Sequence, residues 1–157
     1  MASVMTNKGK YKILGWALRG ETVPTDFYMA LITSAYEPIN ITNTFTQCTE
    51  VSLGNGYATG GGTGGTGVGV IDPNSTDFDV WTEDDTNHWG LIQVKDIVWT
   101  ASGGTLPASD SARYAVITDD NATIASREVY FSGDLTSDRQ VSDGQTLTIE
   151  DFEIRIT

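Results

Sequence analysis

The sequence predicts an all-β protein, an antiparallel β-sandwich with a short N-terminal helix or arm and a glycine-rich extended loop. The chain has 157 residues, of which 39% are hydrophobic, and it includes four Trp, six Tyr and five Phe. These side chains suffice for one packed core and exclude bulk disorder, whereas a second core would need a longer chain. Short β-favouring runs follow one another without long helical segments between them, which favours antiparallel strands over alternating strands and helices.

The first 20 residues differ from the rest of the chain in charge. They hold four of the nine basic residues and none of the 21 acidic residues, so their net charge is +4, whereas five basic and 21 acidic residues give residues 21–157 a net charge of −16. We expect this segment to lie as a basic arm on an acidic surface of a partner or of a neighbouring copy. The alternative is a solvated terminus that balances the charge of its own domain. The basic residues are Lys8, Lys10, Lys12 and Arg19.

A short helix is predicted within this arm, over residues 7–19. Tyr11, Leu14 and Leu18 recur at the i, i+3, i+7 spacing of one helix face. Thr6 or Asn7 is a suitable N-cap, and Gly20 is a suitable stop signal. The predicted organisation is therefore an arm or helix over residues 1–20 and one sandwich domain over residues 21–157.

The body is predicted to consist of short strands separated by turn residues. Leu147 and Ile149 have the opposite parity to Phe152 and Ile154, so one straight strand would turn half of these side chains outward. We therefore expect a bend at Glu150 and Asp151. The predicted strands are residues 27–33, 91–99, 113–118, 127–132, 146–149 and 152–157.

Residues 54–70 form a glycine-rich loop, with nine glycines in seventeen positions. A phosphate-binding loop would need a Lys at its end, and no basic residue occurs between Arg19 and Lys95. We expect this segment to be flexible alone and to become ordered by packing against another backbone, where only glycine fits.

Few residues suggest catalysis or metal binding. One Cys and one His exclude an internal disulfide framework and the zinc sites built from several such residues. His88 follows Glu83, Asp84 and Asp85, but the chain has no GxSxG nucleophile motif, so we interpret His88 as a surface histidine. We therefore expect that the protein is not an enzyme and that it binds no cofactor. Polysaccharide cleavage by a pair of carboxylates stays a minor alternative, since sequence does not reveal such pairs.

Acidic turns offer a second, weaker possibility. Residues 72–79, 82–87 and 118–121 could supply oxygen ligands to calcium, although none matches the EF-hand pattern, and ordinary turn-forming Asp and Asn are the alternative. The net charge of −12 argues against nucleic acid as a partner. No apolar run reaches the length of a membrane span and no signal peptide is recognisable, so we expect a soluble product made in the cytoplasm.

The aromatic side chains could serve a carbohydrate platform, a protein interface or the core. We expect most of them to be core residues. Tyr11 and Trp16 are the best interface candidates because they accompany the basic residues, and Tyr57 follows because it stands alone among glycines. The full set of candidates outside the arm comprises Trp81, Trp89, Trp99, Tyr28, Tyr36, Tyr57 and Tyr130.

Several short motifs resemble those of small virion proteins of tailed bacteriophages, which often show a "YxALxT … TEV … GGGY" opening. Here the matching residues are 27–33, 49–51 and 54–57, and the close at residues 141–149, with a preceding strand at 113–117, is also similar. The resemblance spans most of residues 10–157. Members of the group often place an Arg after the Gly-Tyr pair, whereas this chain has Ala58 and Thr59 there.

The resemblance implies a structural role in the virion, either as a capsid decoration (cement) protein or as a tail-fibre-like protein. The chain has no internal repeat and no heptads of a fibre shaft, which favours the decoration protein on the outer capsid surface. By analogy, its partners would be the major capsid protein and neighbouring copies of itself in a homotrimer. The runner-up is a tail-fibre or baseplate-tip module that binds host surface glycan through aromatic side chains.

Overall fold

The computed structural model describes residues 3–73 and 76–156, and in this part of the chain it contains one α-helix and ten strands. The helix α1 spans Asn7–Arg19. The strands are β1 (Ser3–Met5), β2 (Phe27–Ile32), β3 (Val70–Ile71), β4 (Phe78–Asp84), β5 (Trp89–Val94), β6 (Ile97–Thr100), β7 (Ala112–Thr118), β8 (Val129–Arg139), β9 (Thr146–Ile149) and β10 (Phe152–Ile156).

The strands form three antiparallel sheets. One sheet has five strands in the order β1-β8-β7-β2-β3, a second has the order β10-β5-β4, and β6 pairs with β9 in the third. The predicted all-β class with antiparallel sheets and one short helix is therefore confirmed. No helix of the described residues is long and apolar enough to cross a membrane.

Helix α1 has the predicted ends. The backbone N–H of Gly9 donates to the Thr6 hydroxyl, which is the N-cap, and Gly20 ends the helix in the left-handed conformation with φ 69°. The Thr6 hydroxyl in turn donates to the carbonyl of Val129, 2.6 Å away, so the start of the helix is tied to β8. The helix is thus a fixed part of the folded body.

The core lies between the three sheets. Phe27 from β2, Trp99 from β6, Leu147 from β9 and Phe152 from β10 belong to one continuous buried cluster. A second, smaller cluster covers the opposite side of β2, where Ala30 and Ile32 alternate with the residues of the main core. Every residue of β2 is buried because both faces of this strand are covered.

The chain turns a corner where the parity of the last apolar residues predicts it. Asp151 adopts φ 50° between β9 and β10, and the two strands belong to different sheets. Leu147, Ile149, Phe152 and Ile154 are all buried as a result. The bend restores one apolar face, as predicted from the sequence.

The predicted strands need correction in three ways. The predicted strand 91–99 is two strands, β5 and β6, which belong to different sheets. Strand β8 continues to Arg139, seven residues past its predicted end at residue 132, and β1, β3 and β4 lie where the sequence predicts no strand. Strand β4 escapes prediction because Asp79, Glu83 and Asp84 interrupt the apolar pattern that marks a strand.

The glycine-rich segment contacts another backbone, as predicted, and that backbone belongs to the same chain. A Cβ on Gly61 would lie 2.0 Å from the carbonyl oxygen of Met29, and one on Gly69 would lie 2.3 Å from the same atom. Gly60, Gly61 and Gly62 are buried. The absence of side chains therefore lets the segment lie directly on β2.

Candidate functional site

The inner face of α1 attaches the helix to the body. The Trp16 ring makes edge contacts with Tyr130 at 5.5 Å and with Phe27 at 5.9 Å between ring centroids. Gly9 lies so close to β8 that a Cβ would be 2.4 Å from the Tyr130 carbonyl oxygen. Trp16 was a candidate contact residue from the sequence, and the structure places it in the chain's own packing.

The outer face of α1 carries an exposed apolar stripe. Tyr11, Leu14 and Leu18 are all more than half exposed, and Leu18 reaches 78%. These are the residues whose spacing predicts the helix, yet they point away from the core. We call them, with the exposed Lys10 and Arg19, the helix face. A surface stripe of large apolar side chains marks a binding surface more often than a scattered apolar residue does.

Two of the four predicted cations are held within the chain. Lys8 pairs with Glu128 at 3.1 Å, and Lys12 lies 3.6 Å from Glu128 and 3.4 Å from Glu21. Partial burial disfavours the charged form of Lys12, but the two carboxylates outweigh it and raise its pKa. Lys10 and Arg19 are exposed.

Tyr57, the third aromatic candidate, lies in the interior. Its side chain is 4% exposed, its hydroxyl accepts from the backbone N–H of Leu31, and it donates to the carboxylate of Glu50, each at 2.9 Å. Burial, together with the charge of Glu50, raises the pKa of Tyr57 well above its ordinary value. Tyr57 therefore links the glycine-rich segment to β2.

The same segment is held by a buried arginine that the sequence did not single out. Arg127 donates to the carbonyl oxygens of Gly60 and Gly62, each at 2.9 Å. Glu50 accepts hydrogen bonds from Tyr57 and from the backbone of Gly60. Arg127 also donates to the nearby carbonyl of Asn121, but its two partners in the glycine-rich segment lie about 65 residues away and meet it only in the folded chain, so no local pattern marks this role.

The acidic turns predicted as possible calcium ligands bind their own backbone. Asp84 accepts from the backbone N–H groups of Thr86 and Asn87, and Asp119 accepts from that of Glu128. Within residues 3–73 and 76–156, no group of three His, Cys, Asp or Glu side chains is arranged to hold a metal ion. Part of the predicted patch 72–79, residues 74 and 75, lies outside the described residues.

His88 and Cys48 occupy separate parts of the structure. His88 lies in the exposed turn between β4 and β5, where its backbone adopts φ 60°. Cys48 is partly buried, and burial raises the pKa of its thiol to about 12. At neutral pH this thiol is therefore protonated and a poor nucleophile.

The hairpin of β4 and β5 carries the most exposed large aromatic side chain among the described residues. Trp81 is 90% exposed, whereas Trp99, Tyr28 and Tyr130 are buried, as expected for most aromatics. On the other face of this sheet, the guanidinium of Arg155 lies 4.2 Å from the ring of Trp89. Sequence alone did not distinguish Trp81 from the core tryptophans, although the acidic residues around it were a usable signal.

An open groove separates the end of β8 from β9. Its volume is about 750 Å³, and no aromatic side chain lines it. The lining includes Asp134, Arg139, Gln140 and Thr148. The groove thus lacks the stacking surface expected of a sugar-binding site, and the exposed aromatic residues lie on α1 and on the β4–β5 hairpin.

Comparison of the chain with models of known protein families, with curated proteins and with solved structures found no match.

Proposed function

We propose that the protein is a structural component of a tailed-phage virion, a head decoration (cement) protein whose copies bind the outer capsid surface and one another and so stabilise the capsid. Its action is binding, without catalysis. The observation that carries this proposal is the helix face, an exposed apolar and cationic surface fixed on a strongly acidic body. In this proposal the body is a β-sandwich in which the three sheets are arranged as two layers, and residues 54–70 are its glycine-rich loop.

The helix face has the composition expected of an adhesive surface. Tyr11, Leu14 and Leu18 together offer large apolar side chains, and burying one such side chain contributes about 1.5–3 kcal/mol. Lys10 and Arg19 would select an acidic partner and orient the contact. A protein that covers a capsid lattice repeats one modest contact at many equivalent sites, so a small, rigid binding face suffices.

The fixed helix makes point substitutions a sharper test than deletion of residues 1–20. Such a deletion would also remove β1, which pairs with β8, and the cap residue Thr6. We therefore suggest Leu14→Ser with Leu18→Ser, and separately Lys10→Glu with Arg19→Glu, since these four side chains are exposed. Each purified variant is mixed with heads of the parent phage assembled without the protein, and bound copies per head are measured after sedimentation.

The expected result is a loss of bound copies for both double variants. Val98→Ser and Arg139→Glu are matched controls, because these side chains are exposed elsewhere on the body, and they should bind as the unmodified protein does. Full occupancy by both helix-face variants would contradict the proposal, as would the absence of the unmodified protein from the head.

The exposed Trp81 favours a second candidate, a tail-fibre or baseplate-tip module that binds host surface glycan. A flat ring that is 90% exposed can stack on a sugar. In this case labelled antibody would decorate the tail of the virion instead of the head. Trp81→Ala would then abolish binding to host cells, and Val98→Ala would not.

A further inference from the structure

We infer that the chain associates head to tail, with the helix face of one copy docked on the β4–β5 hairpin of the next. This inference rests on the part of the proposed function in which copies bind one another. It assigns the helix face to the neighbouring copy, so that loss of this contact between copies is what lowers the number of copies bound per head. Both surfaces are exposed in the single chain, both are apolar at their centre, and they carry opposite charges.

The hairpin surface is a continuation of the core-facing side of the three-stranded sheet. Ile154, Ile92 and Trp81 are paired across β10, β5 and β4, so the three side chains point to the same side. Ile154 is buried, Ile92 is partly buried, and Trp81 is 90% exposed. The apolar side of the sheet therefore extends past the edge of the core.

The next residue along β10 on this side is also uncovered. Ile156 lies two positions after Ile154 and is 54% exposed. Across the sheet it is paired with Gly90 on β5, which is in turn paired with Glu83 on β4. Because Gly90 has no side chain, nothing on β5 covers the space between Ile156 and Glu83. We call Trp81, Ile92 and Ile156 the hairpin face. An apolar surface that continues a core outward is suited to pack against another apolar surface.

The charges around the two faces are complementary. Residues 78–94 contain four acidic side chains and no Lys or Arg, and Glu83 lies on the same side of the sheet as Trp81. On the helix face, Lys10 is one turn before Leu14, and Arg19 follows Leu18. Docking would place acidic and basic side chains together around an apolar centre, which is the arrangement that favours a specific complex.

This charge pattern selects the kind of symmetry. A two-fold contact between identical faces would bring Lys10 and Arg19 against themselves, or Glu83 and its acidic neighbours against themselves. Only the contact between unlike faces pairs opposite charges. A contact between unlike faces is either made twice in a two-fold dimer, each helix face on the other copy's hairpin face, or it closes into a larger ring or continues as a chain.

A charge exchange between the two faces tests the contact directly. One variant carries Lys10→Glu and Arg19→Glu, and the other carries Glu83→Lys and Asp85→Lys, all at exposed positions. Self-association of the purified full-length chain is measured by sedimentation velocity over a range of concentrations. Each variant alone should associate at least about tenfold more weakly than the unmodified protein, which is about 1.4 kcal/mol.

Mixing the two variants should restore association, because each acidic helix face then meets a basic hairpin face and each basic helix face meets an acidic one. Trp81→Ser should also weaken association, whereas Val98→Ser, a matched exposed position on β6, should not. Circular dichroism of each variant establishes that it is folded. Recovery in the mixture excludes misfolding as the cause of the losses.

Three results of the association measurements would overturn the inference. The first is that the unmodified chain stays monomeric up to about 100 μM, the range of weak association. The second is that the charge variants associate as well as the unmodified chain. The third is that a mixture of the two charge variants shows no recovery of association. Loss of glycan binding by Trp81→Ser with unchanged association would also overturn it and support the tail module. If head binding persists while self-association fails, only this inference is wrong, and if association persists without head binding, only the proposed function is wrong.

Discussion

The guanidinium carbon of Arg127 lies 4.0 Å from the centre of the Tyr28 ring. Arg127 is 1% exposed, and it also donates to the carbonyl oxygens of Gly60, Gly62 and Asn121. The hydroxyl of Tyr28 accepts from the backbone N–H of Gly65, 2.7 Å away. One stacked pair thus holds both ends of the glycine turn at residues 60–65, and the shape of this turn depends on it.

We predict that Arg127→Ala destabilises the protein substantially. The substitution leaves two buried carbonyl groups without their donor, and each such group costs about 1–3 kcal/mol. The free energy of unfolding, measured by urea titration, should therefore fall by roughly 2–5 kcal/mol. Arg127→Lys should recover little, because an ammonium group lacks the planar fork that reaches both carbonyls. Arg139→Ala, at an exposed position, is the control and should leave the midpoint nearly unchanged.

A pair of alanine substitutions in the same segment should separate backbone strain from close packing. Gly64 has φ 58° and open space around it, so Gly64→Ala should cost only the strain of the left-handed conformation, about 1–2 kcal/mol. Gly61 has φ 77°, and an added Cβ would lie 2.0 Å from the Met29 carbonyl oxygen. Gly61→Ala should therefore lower the thermal midpoint far more than Gly64→Ala. Equal effects would show that the segment does not pack on β2.

Glu50 should make stability fall as pH rises. Burial raises its pKa above the ordinary value of 4.5, although hydrogen bonds from Gly60 and Tyr57 and the charge of Arg127 oppose the shift. A raised folded-state pKa means that the folded protein binds the proton more tightly than the unfolded chain does. The contribution is complete below about pH 4.5 and is lost as pH rises through the raised pKa.

The variant Glu50→Gln removes this titration while keeping a side-chain carbonyl as acceptor. Its stability relative to the unmodified protein should therefore increase with pH above about 4.5, as measured by urea unfolding at a series of pH values. Asp84→Asn should show the opposite trend, with its stability relative to the unmodified protein decreasing as pH rises, because hydrogen bonds from Asn87 lower the pKa of Asp84 below 3.8. A flat difference curve for Glu50→Gln would contradict the prediction.

Cys48 should react slowly with alkylating reagents in the folded protein. Burial raises the pKa of its thiol from 9.0 to about 12, so the thiolate fraction at pH 8 falls about a thousandfold. The rate of iodoacetamide labelling, followed by mass spectrometry, should be far lower in buffer than in urea. Labelling at the same rate in both conditions would show that Cys48 is exposed in the folded state.

Local patterns determined most of the fold. Thr6, the apolar spacing of α1 and Gly20 define the helix and both of its ends, because capping and periodicity act within a few residues. Strand β9 and the corner at Asp151 follow from the parity of the apolar residues, since one face of each strand must be buried. The sequence also indicated that the glycine-rich segment would approach another backbone.

The candidate surfaces were only partly predictable. Lys10, Tyr11 and Arg19 lie on the exposed helix face, whereas Trp16 and Tyr57 face the interior. Sequence does not distinguish these cases, because an aromatic ring suits a core and an interface equally well. Trp81 is the opposite case, an exposed ring where a buried one was expected. It continues the apolar side of a sheet, but no other residue in the described part of the chain covers it.

By itself, the sequence determined the all-β class, the basic helix and the acidic body, because these depend on composition and on spacing along the chain. Only the tertiary structure decided which rings are buried, which lysines pair with Glu128, and which glycines lie against β2. It also brought Arg127 to the glycine turn and left Trp81 at an uncovered edge. Burial and pairing depend on contacts between residues far apart in sequence, and no local pattern encodes the partner.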